Sequence, residues 1–269
     1  MLIRIFHQTQ YQYDEGSHLV VQRLNLTPAD FAAQKTLSWT ISAPGIENAL
    51  SYSDGFGNRI HLVTATINGG QSTITAMGEI ETTDAAGLVK GLSCPAPDAI
   101  FLRQSAATRP SPEMLGALRQ LPKSANSLDE AHTLMRLVHG HVAYEVGTSH
   151  AMTTAADAFH NQRGVCQDHA HIVIGLARAC GVPARYVTGY LVTGHGASST
   201  AAHAWAELLI RDLGWVGFDA ANGQCPTPEY VRLAAGLDAS HVAPVRGSRR
   251  GGGGREQLTV EVRVEIAQQ

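Results

Sequence analysis

A thiol is a useful nucleophile only when something draws off its proton, and this chain places one where that can happen. Cys166 sits in QRGVCQDHAHIVIGLARACGVPARY (residues 162–186), at the point where a loop becomes a helix. There the positive end of the helix dipole and the unpaired backbone N–H groups favour thiolate over thiol. The same N–H groups can donate to an oxyanion forming one bond away. Asp168, in the first turn, opposes ionisation if it points inward, so the thiolate needs a partner cation, usually histidine. Of the thirteen histidines, His203 has the most telling context. In AAHAWAELL, alternation puts His203, Trp205, Glu207 and Leu209 on one face of a strand. GWVGFDA then reads as a turn into the adjacent strand, which brings Asp219 beside His203. A nucleophile at a helix start, a base on one strand and an orienting carboxylate on the next follow the logic of a catalytic triad.

The chemistry of such a trio is acyl transfer on amide bonds through a thioester acyl-enzyme. Water as second nucleophile makes a cysteine protease or amidase; an amine makes a transamidase. Hydrolysis is the favoured expectation, because nothing in the sequence marks an amine-binding site. A zinc site built from His169 and His171 is disfavoured, since residues two apart on a helix diverge by about 200°. No metal and no cofactor are expected. Cys94, Cys180 and Cys225 lie far apart without CxxC pairing, which argues against a disulfide framework. Asp168, His169 and Glu207 are candidates for supporting the trio from behind. A binding module that keeps the fold without the chemistry is the remaining alternative, and the presence of all three residue types counts against it.

The elements that must position these groups are legible from periodicity. Residues 1–92 read as strands: Ile3, Ile5, His7, Thr9, Tyr11 and Tyr13 alternate with polar neighbours, and Leu37, Trp39 and Ile41 share a face. Two glycine turn signals fall within SDGFGNRI. Residues 93–112, rich in proline and small residues, read as a linker. Helices follow: Ser111 with Pro112 looks like a cap, and Ser127 with Glu130 has the form of a capping box. Thr154 opens another short helix. After Cys166 the apolar positions cover nearly the whole helix circumference, so this helix is buried, and Gly181 and Pro183 stop it. Strands ARYVTGYLV, HAWAELLI and GWVGFDA come next. GSRRGGGG is expected to be a flexible loop, and QLTVEVRVEI a closing strand with Leu258, Val260, Val262, Val264 and Ile266 inward. The class is α+β: an N-terminal antiparallel β-sandwich-like domain, then a core over 113–269 with a buried helix on an antiparallel sheet.

GVCQDHAH, HAWAEL and WVGFDAANG resemble, in order, the signature segments of the transglutaminase-like superfamily, in its bacterial cysteine-protease-like branch. FHQTQYQYDEG and DGFGN resemble the N-terminal β domain of that branch, and HVAPVRG with the final strand resembles its C-terminal end. The resemblance implies a papain-like core with Cys166 as nucleophile, His203 as base and Asp219 as orienter. By analogy with papain-like enzymes Gln162 is a candidate oxyanion donor, while Tyr144 and Trp205 would wall the pocket. Two departures stand out: FDAANG lacks the proline and threonine common after the aspartate, and His241 replaces an expected acidic residue.

Bulk properties agree with a soluble enzyme acting on a peptide or protein amide. The 269 residues are 44% hydrophobic, ample for a core, and carry a net charge of −3 with the signs interspersed. That gives no electrostatic footprint for nucleic acid or an anionic membrane. The opening lacks a signal-peptide pattern and no apolar run could span a bilayer, so a cytoplasmic location is expected.

Overall fold

The computed structural model describes residues 1–119, 126–192, 202–251 and 255–267. In chain order the elements begin with β1 (Leu2–Thr27), β2 (Gln34–Ser42), β3 (Leu50–Ser53), β4 (Arg59–Thr82) and β5 (Leu88–Val89). Helices α1 (Pro112–Leu118) and α2 (Leu128–His141) follow, then β6 (Ala143–Tyr144), α3 (Ala155–Asn161), β7 (Arg163–Gly164) and α4 (Cys166–Ala179). The remainder is strand: β8 (Ala184–Leu191), β9 (His203–Ile210), β10 (Gly214–Phe218), β11 (Tyr230–Gly236), β12 (Val245–Arg250) and β13 (Glu256–Ile266).

Alternation dictates the first sheet. Ile3, Ile5, His7, Thr9, Tyr11 and Tyr13 are all buried, and the residues between them are not. β1 and β4 pair antiparallel along nearly their whole length, from Leu2↔Glu81 to Thr27↔Arg59, with β2 and β3 on the far edge of β4. The sandwich-like N-terminal part is thus one curled antiparallel sheet. Leu37 was expected on the buried face with Trp39 and Ile41. It is half exposed instead, because it is the extra residue of a bulge between Thr36 and Ser38.

The second sheet runs β11-β8-β9-β10-β5. β8 and β11 are buried along their whole length, as strands covered on both faces must be. One face packs under α4, where Ile172, Val173, Ile174 and Leu176 are buried against Ala184, Tyr186, Ala206 and Leu208. Burial of each such large side chain is worth about 1.5–3 kcal/mol. The first sheet meets the second through a separate cluster, in which Tyr190, Val192, Val231 and Leu233 pack with Ile3, Ile5, Leu24 and Ile74. Two side-chain amides stitch this junction. Gln34 exchanges a pair of hydrogen bonds with the backbone of Arg232 (2.8 and 2.7 Å), and Asn58 does the same with Ala235 (2.7 and 2.8 Å).

The sheets do not respect the expected division into 1–92, a linker at 93–112 and 113–269. β5 belongs to the second sheet, on the edge of β10. β12 and β13 belong to the first, both on β1. Residues 247–250, expected within a loop, are the strand that pairs with β1, and 252–254 lie outside the described residues. Of the closing strand's apolar set only Val262 and Val264 are buried; Leu258, Val260 and Ile266 are exposed. All five share a face, but only the middle of it is covered. The linker is anchored too: Phe101 is fully buried, and Arg178 donates to the carbonyls of Phe101, Ala184 and Leu237.

The helix signals hold. Ser111 accepts from Met114 N–H, and Ser127–Glu130 and Thr154–Asp157 form capping boxes. Among the described residues no helix is long and apolar enough to cross a membrane.

Candidate active site

Cys166 is the first residue of α4, and the approach to it is tightly specified. β7 pairs parallel with β6, and Val165 enters in an extended conformation. Asp168 is buried and accepts Val165 N–H at 2.8 Å and Ser149 Oγ–H at 2.6 Å. The carboxylate thus closes the helix start, bound to an amide and a hydroxyl. Gly164 makes room for it: a Cβ there would lie 2.7 Å from the Asp168 side chain. With Val165 N–H satisfied, the amides of Cys166 and Gln167 at the helix start have no acceptor among the described residues.

His203 opens β9, beside Gly189 of β8. Its Nε2–H donates to Asp219 Oδ2 at 2.7 Å, which leaves Nδ1 for the thiol. Burial lowers its pKa, but hydrogen bonds to Asp219 and to Cys166 outweigh it, and the imidazole is raised to about 9. Asp219 follows β10 and is itself surrounded by donors. Asn222 Nδ2 and Tyr230 OH each reach Oδ2 at 2.7 Å, and Ala221 N–H reaches Oδ1 at 3.0 Å. Burial raises this carboxyl, yet His203, Asn222 and Tyr230 together hold it below the ordinary carboxylate range. His139, in the last turn of α2, donates from Nδ1 to the Ala220 carbonyl and props the same loop.

Cys166 and His203 line a cleft of about 800 Å³, with Asp219 buried behind His203. One wall is Tyr144, Val146, Ala151 and Met152, the other runs from Ala239 to Arg246, and Tyr186 and Thr188 form part of the floor. Val146 and Met152 are about four-fifths exposed, at 79% and 80%, so the rim presents bare apolar surface. Arg246 is the cation of the described lining other than His203, and no carboxylate lines it.

The expected supporting residues divide. Tyr144 lines the cleft as expected. Trp205 does not wall it: the indole is buried beneath His203, stacked at 6.3 Å and edge-on to Tyr230 at 5.6 Å. Gln162 is not an oxyanion donor. It is the left-handed C-cap of α3 (φ 54°), exposed and outside the cleft lining, with its carbonyl taken by Ala143 N–H. His169 is not at the rim but buried, its two ring nitrogens 2.9 Å from the carbonyls of Val165 and Val142. His171 accepts from Ala239 N–H on the other side. Glu207 makes its ion pairs with Arg185 and Arg232, away from the trio. Among the described residues no group of three or more His, Cys, Asp or Glu side chains could hold a metal ion. Tyr230, Asn222 and His139 emerge only from the fold. Asn222, three residues after Asp219 in a glycine turn, carried a faint local signal for a side-chain-capped turn.

Residues 117–220 match the family profile "Transglutaminase-like superfamily", and residues 3–81 match "Bacterial transglutaminase-like N-terminal region". An uncharacterized protein of Mycobacterium leprae is 24% identical over 278 residues, covering 98% of both chains. One from Mycobacterium tuberculosis is 26% identical over 277 residues, covering 91% of this chain and 86% of its own. A crystal structure from Cytophaga hutchinsonii, provisionally named a cysteine protease, has a TM-score of 0.74 at 23% identity, covering 98% of this chain and 90% of that one. That likeness fixes the fold.

Proposed function

This chain belongs to the transglutaminase-like superfamily, and from that premise we propose that it hydrolyses amide bonds in peptides or proteins through a thioester on Cys166. Thiolate sulfur attacks the carbonyl carbon, and the carbonyl electron pair moves onto oxygen, where the Cys166 and Gln167 amides can donate to it. The C–N bond then breaks as His203 passes its Nδ1 proton to the departing amine. Water, deprotonated by the now neutral imidazole, releases the acid and restores the thiol. Asp219 fixes the Nε2–H tautomer and stabilises the imidazolium throughout. The observation that carries this reading is the imidazole of His203, bound through Nε2–H to a buried carboxylate, in the same cleft as a thiol at a helix start.

Alkylation by iodoacetamide, followed for each cysteine by peptide mass from pH 4 to 9, tests it. Rapid labelling of Cys166 at pH 6, lost in His203→Ala, is expected. Cys180 and Cys225 should stay slow, since burial raises both thiols, Cys225 to about 11. A Cys166 profile that rises only above about pH 8 in both proteins, as for a free thiol, would sink the proposal. With an activated thiol established, an amide panel with and without added primary amine separates hydrolysis from transamidation by the product formed.

A further inference from the structure

Sequence reasoning leaves the second oxyanion donor unassigned, and Gln162 is excluded by its position. The cleft floor offers another group. Tyr186, on β8, is only 4% exposed, yet it lines the cleft alongside Cys166, His203 and Val165. Its hydroxyl has no hydrogen-bond partner among the described residues, and it is not sealed off among the buried unpaired atoms. A phenol with its ring in the core and its oxygen unpaired is unusual, because buried hydroxyls ordinarily find a partner. The ring cannot swing away to find one. It packs at 5.1 Å against His171, which Ala239 N–H fixes in turn, and its strand is hydrogen-bonded on both sides, to β9 and β11. The one open direction is the cleft.

We propose that Tyr186 is a catalytic residue whose hydroxyl donates, with the Cys166 amide, to the oxyanion of the tetrahedral intermediate. The inference rests on the acyl-transfer reading above. As the C–S bond forms, the carbonyl π pair moves to oxygen; Tyr186 O–H donates a hydrogen bond there and keeps its proton. Keeping it is assured. Burial, with the neighbouring Cys166 and Asp168, pushes the phenol well above its ordinary pKa, so it stays a neutral donor across the working range. A donor that is held in place and faces the cleft without a protein partner needs little reorganisation when charge develops, which is the condition under which such donors act most strongly.

Tyr186→Phe keeps the ring on His171 and removes only the hydroxyl. Two reactions of Cys166 separate the roles. Acylation by p-nitrophenyl acetate, followed as nitrophenolate release, passes through an oxyanion; alkylation by iodoacetamide does not. The expected result is acylation slower by about 10²-fold, with the alkylation rate and its pH profile unchanged. Equal acylation in both proteins overturns the proposal. Parallel loss of acylation and alkylation also overturns it, since Tyr186 would then only pack the thiol in place. A wild-type protein that alkylates quickly but is never acylated defeats the acyl-transfer reading itself, and any oxyanion role with it.

Discussion

At the scale of single residues, His203 sets the pH behaviour. Its imidazole is raised to about 9 from an ordinary 6.5, so below pH 9 it keeps its proton. Asp219→Asn keeps the shape of the partner and removes its charge. Turnover is expected to fall roughly 10⁴-fold, and the high-pH limb of the Cys166 alkylation profile to move down from near 9. An unmoved limb would mean that Asp219 does not hold the imidazolium. The same shift bears on stability. Because the folded value lies above the unfolded one, the contribution is complete below pH 6.5 and drains away as pH rises through 9. The grouping of Cys166, His203 and Asp219 was legible because thiol, imidazole and carboxylate occupied a helix start and two strands in a recognisable order. Tyr186, Tyr230 and His139 were not. Their roles depend on which strand lies beside which and on what a helix end touches, and no local pattern encodes that.

Elements are held by a different kind of group. Glu207 of β9 is fully buried between Arg185 of β8 and Arg232 of β11, so one carboxylate serves two guanidinium groups in the centre of the sheet. Arg185 keeps two nitrogens unpaired and lies 4.1 Å over the Trp215 ring. Burial raises the Glu207 carboxyl, but the two arginines lower it further. Its folded pKa therefore lies below the unfolded one, and its contribution is lost as pH falls through the folded value. Glu207→Gln leaves two buried cations facing a neutral amide, and should cost about 3–5 kcal/mol in urea unfolding at pH 7. A change under 1 kcal/mol would show the charge to be dispensable. Strand alternation correctly placed His203, Trp205 and Glu207 on one face but could not say what lay opposite. A pocket wall was expected for Trp205; the face turned out to hold the underside of His203 and an ion cluster.

For the whole molecule the two sheets are a single cooperative object. β11 carries Tyr230 and Arg232 to the candidate site and the ion cluster, while Gln34 and Asn58 of the first sheet clasp its backbone. A fragment spanning 113–269 would lose β5, strand β1 for β12 and β13 to pair with, and the cover over Tyr190, Val192, Val231 and Leu233. It should show no cooperative thermal transition by circular dichroism, whereas residues 1–269 should melt sharply. A sharply melting fragment with a fast Cys166 would contradict this. The α+β class and helix caps were readable from local pattern. That the first and last strands are neighbours was not, because pairing so distant in sequence leaves no periodic trace.

That pairing also orders events in time. β1 is made well before β13, so the register running from Ile3↔Ile266 to Tyr13↔Glu256 stays unfilled while the intervening chain is synthesised. At about 5–20 residues per second, the wait is on the order of ten seconds or more. During it the nascent β1 offers a bare edge with Ile3 and Ile5 on its sticky face, a template for any strand that passes. The protein's vulnerable age is therefore on the ribosome, and protection from protease in stalled chains should arrive late and all at once.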